Sequence, residues 1–254
     1  MGESGVQVID RVFDILELLT TEEAGLGITE IARRLNLNKS TAHRIVNGIM
    51  HRGYIEKTEQ GLYRLGLGFV ALSSLRLNNV ELTIEAKPYL KDMTNHTGQT
   101  SHLAVLNGSD AMYIDKVETV KNLRLYSEIG KRIPVYCSGL GKSLVMDRAD
   151  EEIHTLLKDC EYVKKTNKTL TSAEAVMKDI RRGRIIGWTM DDEEHDLGIR
   201  CFAAPVYDYT GRIVAAISTS GPSHIYTKDR DNEIGEYIVN VAYQISRRLG
   251  YMKK

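Results

Sequence analysis

The chain has 254 residues, 42% hydrophobic and 27% charged, with 34 acidic and 34 basic side chains, an ordinary globular composition with room for one large domain or two smaller ones. No apolar run approaches the roughly 18 residues of a membrane helix. Met1–Gly5 has neither the basic nor the apolar stretch of a secretory leader, and Cys137, Cys160 and Cys201 form no CxxC pair or disulfide framework. A cytoplasmic protein with free thiols and no membrane partner is expected.

The zero net charge hides an uneven distribution. Residues 1–32 carry one arginine against seven acidic side chains, whereas residues 33–64 carry seven basic against two acidic ones. A concentration of positive charge there suits phosphate attraction, although a solvated basic helix face would carry it too.

In chain order, Val8, Val12, Ile15, Leu16 and Leu19 form one apolar helical stripe. Thr29 is expected to cap a second helix, its side-chain oxygen accepting from first-turn amides, with Ile31 and Leu35 inward. Asn36-Leu37-Asn38 forms a turn. A third helix opens at Asn38 or Lys39 and buries Ala42, Ile45, Val46 and Ile49. Gly53 stops it, and Tyr54–Lys57 with Leu62–Leu65 reads as a hairpin. Three helices and a hairpin make a winged helix-turn-helix over residues 1–66. A linker helix, Phe69 to Leu77, lies within 67–79. Residues 80–254 form a second domain, which opens on a helix from Val80 to His96 with Leu82, Ala86, Tyr89, Leu90 and Met93 on one face and a bend at Pro88.

Short strands follow at Ser101–Leu106, Ala111–Val117, Leu123–Tyr126 and Ile133–Tyr136. Helices are expected at Gly139–Met146, Glu151–Leu157 and Ser172–Arg182. Strands return at Ile186–Met190, Phe202–Tyr207 and Ile213–Ser220, before a closing helix from Lys228 to Leu249. This pattern predicts an α+β fold, with helices on an antiparallel sheet that senses a ligand.

The third helix presents Asn38, Lys39, Ser40, Thr41, His43 and Arg44 on its polar side. Hydroxyls can bond phosphates or base edges, and arginine can grip guanine through two bonds. Lys57 and Arg64 on the wing are candidates for phosphate contact. Double-stranded DNA is the expected partner. Two glycine motifs are weaker. Gly66-Leu67-Gly68-Phe69-Val70-Ala71 fits a relaxed dinucleotide fingerprint but lacks the following βαβ strand, and it is read as a loop. Ser138–Ser143 resembles a phosphate loop, but Tyr136 stands where its first glycine belongs. What remains is a glycine turn opening a helix, suited to a small carboxylate. The acidic stretch Asp191–Cys201 admits three readings: a metal site using Asp191, His195 and Cys201, a Cys–His nucleophile pair, or an exposed loop beside a buried thiol.

Several segments together resemble the IclR family of bacterial transcriptional regulators. They are Gly27–Ala32 with Ser40–Arg44, Tyr63–Gly66, Ser138–Lys142, Asp191–Cys201 and Ala216–Pro222. The resemblance implies a GAF-like effector-binding domain behind the winged helix, dimers that pair into tetramers, no catalytic activity and no cofactor. It implies a small organic-acid effector, often a keto acid, held by Gly139, Leu140, Asp191, Cys201, Ser218 and Ser220 between apolar walls at Leu125, Ile133 and Ile199. Leu123–Ser127 and Gly130–Cys137 are similar to the branch sensing 2-keto-3-deoxygluconate, implying a repressor of a catabolic operon.

Overall fold

The computed structural model describes residues 7–72, 81–118, 127–158 and 160–252. It divides into two compact units, Met1–Val80 and Glu81–Lys254.

The first unit opens on α1 (Gln7–Leu19), which buries Ile15 and Leu19. Val8, at the outer end of the stripe, is exposed. Helix α2 (Ile28–Arg34) corrects the expected cap. Gly27 is the N-cap, its carbonyl accepts from the amides of Glu30 and Ile31, and Thr29 lies inside the first turn. Asn36 then takes φ +51°, a left-handed conformation that asparagine tolerates. Helix α3 (Lys39–Met50) follows an extended Asn38 and buries Ala42, Ile45, Val46 and Ile49. Strands β1 (Ile55–Lys57) and β2 (Tyr63–Leu65) form the antiparallel wing. Leu26 bridges to Tyr63, tying the wing to the chain ahead of α2. Ile15, Ile31, Ala42, Val46, Ile55 and Tyr63 share the core.

Gly66 and Gly68 have a packing role. Their amides donate to the carbonyls of Tyr54 and Gly53, and a Cβ on either would fall 2.5 or 2.7 Å from the Gly53 oxygen. Residues 68–72 are helical. The rest of the expected linker helix, and the expected strand Leu123–Tyr126, lie outside the described residues.

The second unit is built on six antiparallel strands. These are β3 (Thr100–Asn107), β4 (Asp110–Val117), β5 (Arg132–Pro134), β6 (Thr189–Asp192), β7 (Ile199–Tyr207) and β8 (Ile213–Pro222), in the order β5-β4-β3-β8-β7-β6. Two expected strands end differently. Val135–Cys137 is a short 3-10 turn. Ile186 ends a helix rather than opening a strand, because the chain stays helical until Gly187 takes φ +85°.

Alternation along the strands gives the sheet two unlike faces. Leu103, Phe202, Ala204 and Ile217 meet α4 (Glu81–Thr97, continuous through Pro88) and α8 (Asp231–Arg248) in the main core around Trp188. Ala104, Ala203 and Ala216 face the other way, toward Leu140 and Leu144 of α5 (Gly139–Val145). Small side chains meet glycines there: a Cβ on Gly139 would lie 3.3 Å from that of Ala203. Helices α6 (Asp150–Lys158) and α7 (Ala173–Ile186) enclose a further core with Val135, Tyr136 and Cys137.

Candidate functional site

The first candidate surface is the outer side of α3. Asn38, Lys39, Ser40, His43 and Arg44 are exposed, and Thr41 is half-buried. His43 Nδ1 lies 3.3 Å from Asn47 Nδ2. The basic surplus of this region is smaller at the surface than in the sequence. Arg33 and Arg34 pair with Glu30, and Arg34 also with Glu22. Their hydrogen bonds pull the Glu30 carboxyl down to about 2. Arg64 pairs with Glu56 across the wing at 2.6 Å. Lys57 stands over the Tyr63 ring at 5.4 Å. Among the described residues, Lys39, Arg44, Arg52 and Lys57 have no ion-pair partner.

The second candidate is a cavity of about 150 Å³ on the small-residue face of the sheet, lined by Ile133, Leu140, Asp191, Ile199, Cys201 and Ser220. Of the other residues anticipated, Gly139 supports the cavity rather than lining it. It packs on β7, and its carbonyl accepts from Thr189 Oγ1. Ser218 lies fully buried behind the wall, and Leu125 lies outside the described residues. The sequence reading missed His102, Tyr113, Ser127, Lys131, Arg132, Ser138 and Asp196, which complete the lining with His195.

Each wall has a local cause. Ser138 is the N-cap of α5. Its hydroxyl accepts from Gly141 N at 3.1 Å and donates to Pro134 O at 2.7 Å. Asp191 Oδ1 accepts from the amides of Glu194 and His195, folding the acidic loop back on itself. Burial, reinforced by nearby Glu194, lifts the Asp191 carboxyl to about 7. Burial and Asp191 push the Cys201 thiol up to about 12, so it is a neutral wall group. His102 is enclosed between Ser127 Oγ (2.8 Å from Nε2) and Ser218 Oγ (3.3 Å from Nδ1), with its ring against Tyr113. Burial and the nearby Lys116 charge hold its imidazole down to about 3.

Lys142 of α5 is wholly buried and donates to Asp179 at 2.6 Å and Glu194 at 2.7 Å. This ion triad ties α5 to α7 and to the acidic loop. Thr169 Oγ1 adds a bond to Glu194 O.

The looser chemical readings are corrected by these contacts. Lys142 is committed to two carboxylates and is not placed to meet a phosphate. Among the described residues, no three His, Cys, Asp or Glu side chains gather to hold a metal ion. Asp191 instead holds the amides of Glu194 and His195, and His195 Nδ1 pairs with Asp196 at 2.8 Å. Those partners also leave Cys201 and His195 without the activated thiolate of a nucleophile pair. No described helix is long and apolar enough to cross a membrane.

Comparison with known proteins places both units. Residues 8–59 match the IclR helix-turn-helix domain, and residues 75–247 match the bacterial transcriptional regulator IclR C-terminal domain. The chain is 34% identical to the HTH-type transcriptional regulator XynR of Escherichia coli (strain K12), over 97% of this chain and 98% of that one. It is also 34% identical to the HTH-type transcriptional regulator KdgR of the same strain, over 97% and 94%. The crystal structure of the Thermotoga maritima IclR superposes with a TM-score of 0.81 at 28% identity, covering 96% of this chain and 99% of that one.

Proposed function

Because the chain belongs to the IclR family of bacterial transcriptional regulators, we propose that it represses a catabolic operon and is controlled by a small organic acid bound in the cavity beneath α5. In this reading the polar side of α3 enters the major groove. Asn38, Lys39, Ser40, Thr41, His43 and Arg44 face the duplex, and Lys57 and Arg64 on the wing meet phosphates. Arg64 must then share its guanidinium with Glu56, so Lys57 is the stronger phosphate contact of the two.

The observation that carries the effector assignment is the lining of the cavity. Its volume of about 150 Å³ is well below the ~300–1,000 Å³ of pockets for larger ligands. It joins apolar walls (Ile133, Leu140, Ile199) to a ring of hydrogen-bonding groups (Ser138, Asp191, Ser220) and to Lys131 and Arg132. Such a site fits a short acid. A keto acid such as 2-keto-3-deoxygluconate is the candidate, and Gly139 and Ser218 act from behind the wall. Leu125 belongs to the same proposal by its resemblance to the family position.

The regulator is proposed to act as a dimer, with two winged helices on two half-sites of a palindrome. The effector acts by binding the DNA-competent and DNA-incompetent arrangements with unequal affinity. Thermal-shift titration with short keto acids, paired with footprinting of a palindromic promoter fragment, tests this. The expected result is stabilisation by one acid and loss of the footprint at the same concentration. A footprint indifferent to every stabilising acid would overturn the effector reading.

A further inference from the structure

The cavity contains a polar device that the acidic loop and glycine turn do not account for. His102 is only 2% exposed. It sits on β3, where register places it opposite Ser218 of β8. Its two ring nitrogens are bracketed by two serine hydroxyls, Ser127 at Nε2 and Ser218 at Nδ1. Ser127 is also anchored through its backbone, since Lys116 Nζ donates to its carbonyl at 2.7 Å. Both His102 and Ser127 line the cavity.

A neutral imidazole has one N–H and one bare nitrogen. It therefore donates to one serine and accepts from the other, and each serine hydroxyl, with one donor hydrogen and two lone pairs, keeps capacity for a further bond. Such a group has no charge to offer a carboxylate. The full positive charges lining the cavity belong instead to Lys131 and Arg132. Ser127 Oγ already bonds His102, but a ligand that covers its remaining hydrogen-bonding capacity with an alkyl group loses the bond that water could make there, and sites built to bond a ligand hydroxyl reject analogues lacking it.

We infer that His102 and Ser127 form a specificity device that reads an uncharged hydroxyl of the effector, so that the preferred class is a hydroxylated keto acid rather than a plain alkyl one. Ser127 makes the contact, and His102 acts through it as a positioning residue. This inference rests on the reading of the cavity as the effector site.

The test compares 2-keto-3-deoxygluconate with 2-oxohexanoate, which keeps the six-carbon keto acid and removes the hydroxyls. Calorimetric titration of the full chain is expected to favour the hydroxylated acid by at least about tenfold. Ser127→Ala and His102→Phe should collapse that preference to near unity while leaving 2-oxohexanoate affinity unchanged or improved. Ser127→Ala keeps the test open if the larger replacement disturbs folding. A merely structural role would weaken both acids together, so a preference that survives in the variants overturns the inference, as does equal binding of the two acids by the unaltered protein. If neither acid binds the unaltered protein, the keto-acid reading of the cavity falls and this inference with it.

Discussion

Two side chains illustrate how burial decides what a charge does. Arg44 is exposed on α3 and has no ion-pair partner among the described residues. Its removal should therefore leave folding intact and act on DNA alone. Arg44→Ala is expected to weaken specific operator binding by about 1–3 kcal/mol and to relax sequence preference at one base position. Gel-shift titration against operator and scrambled DNA checks this, and equal losses on both would reassign Arg44 to a phosphate. Lys142 is the opposite case. It is fully buried, and Glu194, only 7% exposed at its side chain, depends on it. Replacing one partner of such a pair leaves an uncompensated charge in a poorly solvated site. Lys142→Met is expected to cost about 3–5 kcal/mol, and a second change, Glu194→Met, to restore part of the loss, because Asp179, the other partner of Lys142, is more exposed and keeps Arg182 at 3.9 Å. The backbone bonds of Glu194 to Asp191 and Thr169 survive both changes. Urea unfolding followed by Trp188, the only tryptophan in the chain, reports the second unit directly.

At the scale of elements, two glycines separate propensity from packing. Gly48 lies within α3, and a Cβ placed on it would meet nothing within 4 Å. Gly48→Ala should stabilise the first unit by about 0.5–1 kcal/mol, since alanine is the better helix former. Gly235 lies in α8 under the Trp188 ring, where a Cβ would stand 2.1 Å from Cε2. Gly235→Ala should lose more from overpacking, about 1–3 kcal/mol, than it gains in propensity. Circular-dichroism melts should move in opposite directions, with Trp188 emission changed only in the second variant. The same contrast explains what was legible in the sequence. Periodicity located the helices and strands because burial repeats at 3.6 or 2 residues. Element ends were less readable. Ile185-Ile186 has strand-like composition, yet Ile185 is 86% exposed at the end of a helix. The helix stops only where Gly187 can adopt a left-handed conformation. In the cavity, Asp191, Cys201 and Ser220 stood out through segments resembling a family. His102 and Tyr113 belong to no segment singled out in the sequence, and strand pairing brings them to the cavity wall beside Ser127, which ends the Leu123–Ser127 segment. For His102 the signal in the sequence was its place directly before the apolar run Leu103–Leu106.

For the whole molecule, zero net charge does not predict indifference to DNA. The ion pairs of Arg33, Arg34 and Arg64 already neutralise part of the local basic surplus. The salt dependence should therefore follow the few cations left, Lys39, Arg44, Arg52 and Lys57, rather than the sequence total. Regulation adds a stricter requirement. In the proposed reading operator and effector bind the same chain, so their couplings must be equal in both directions. Suppose a keto acid weakens operator binding about a hundredfold, equivalent to about 2.7 kcal/mol. The operator-saturated protein must then bind that acid about a hundredfold more weakly than the free protein does. Calorimetric titration of the acid into each form, at one salt concentration, checks the cycle. Equal acid affinity in the two forms, alongside a real loss of operator binding, would mean that the acid does not act through this chain's own equilibrium. In that case the cavity could not be the regulatory input, however well it held the ligand.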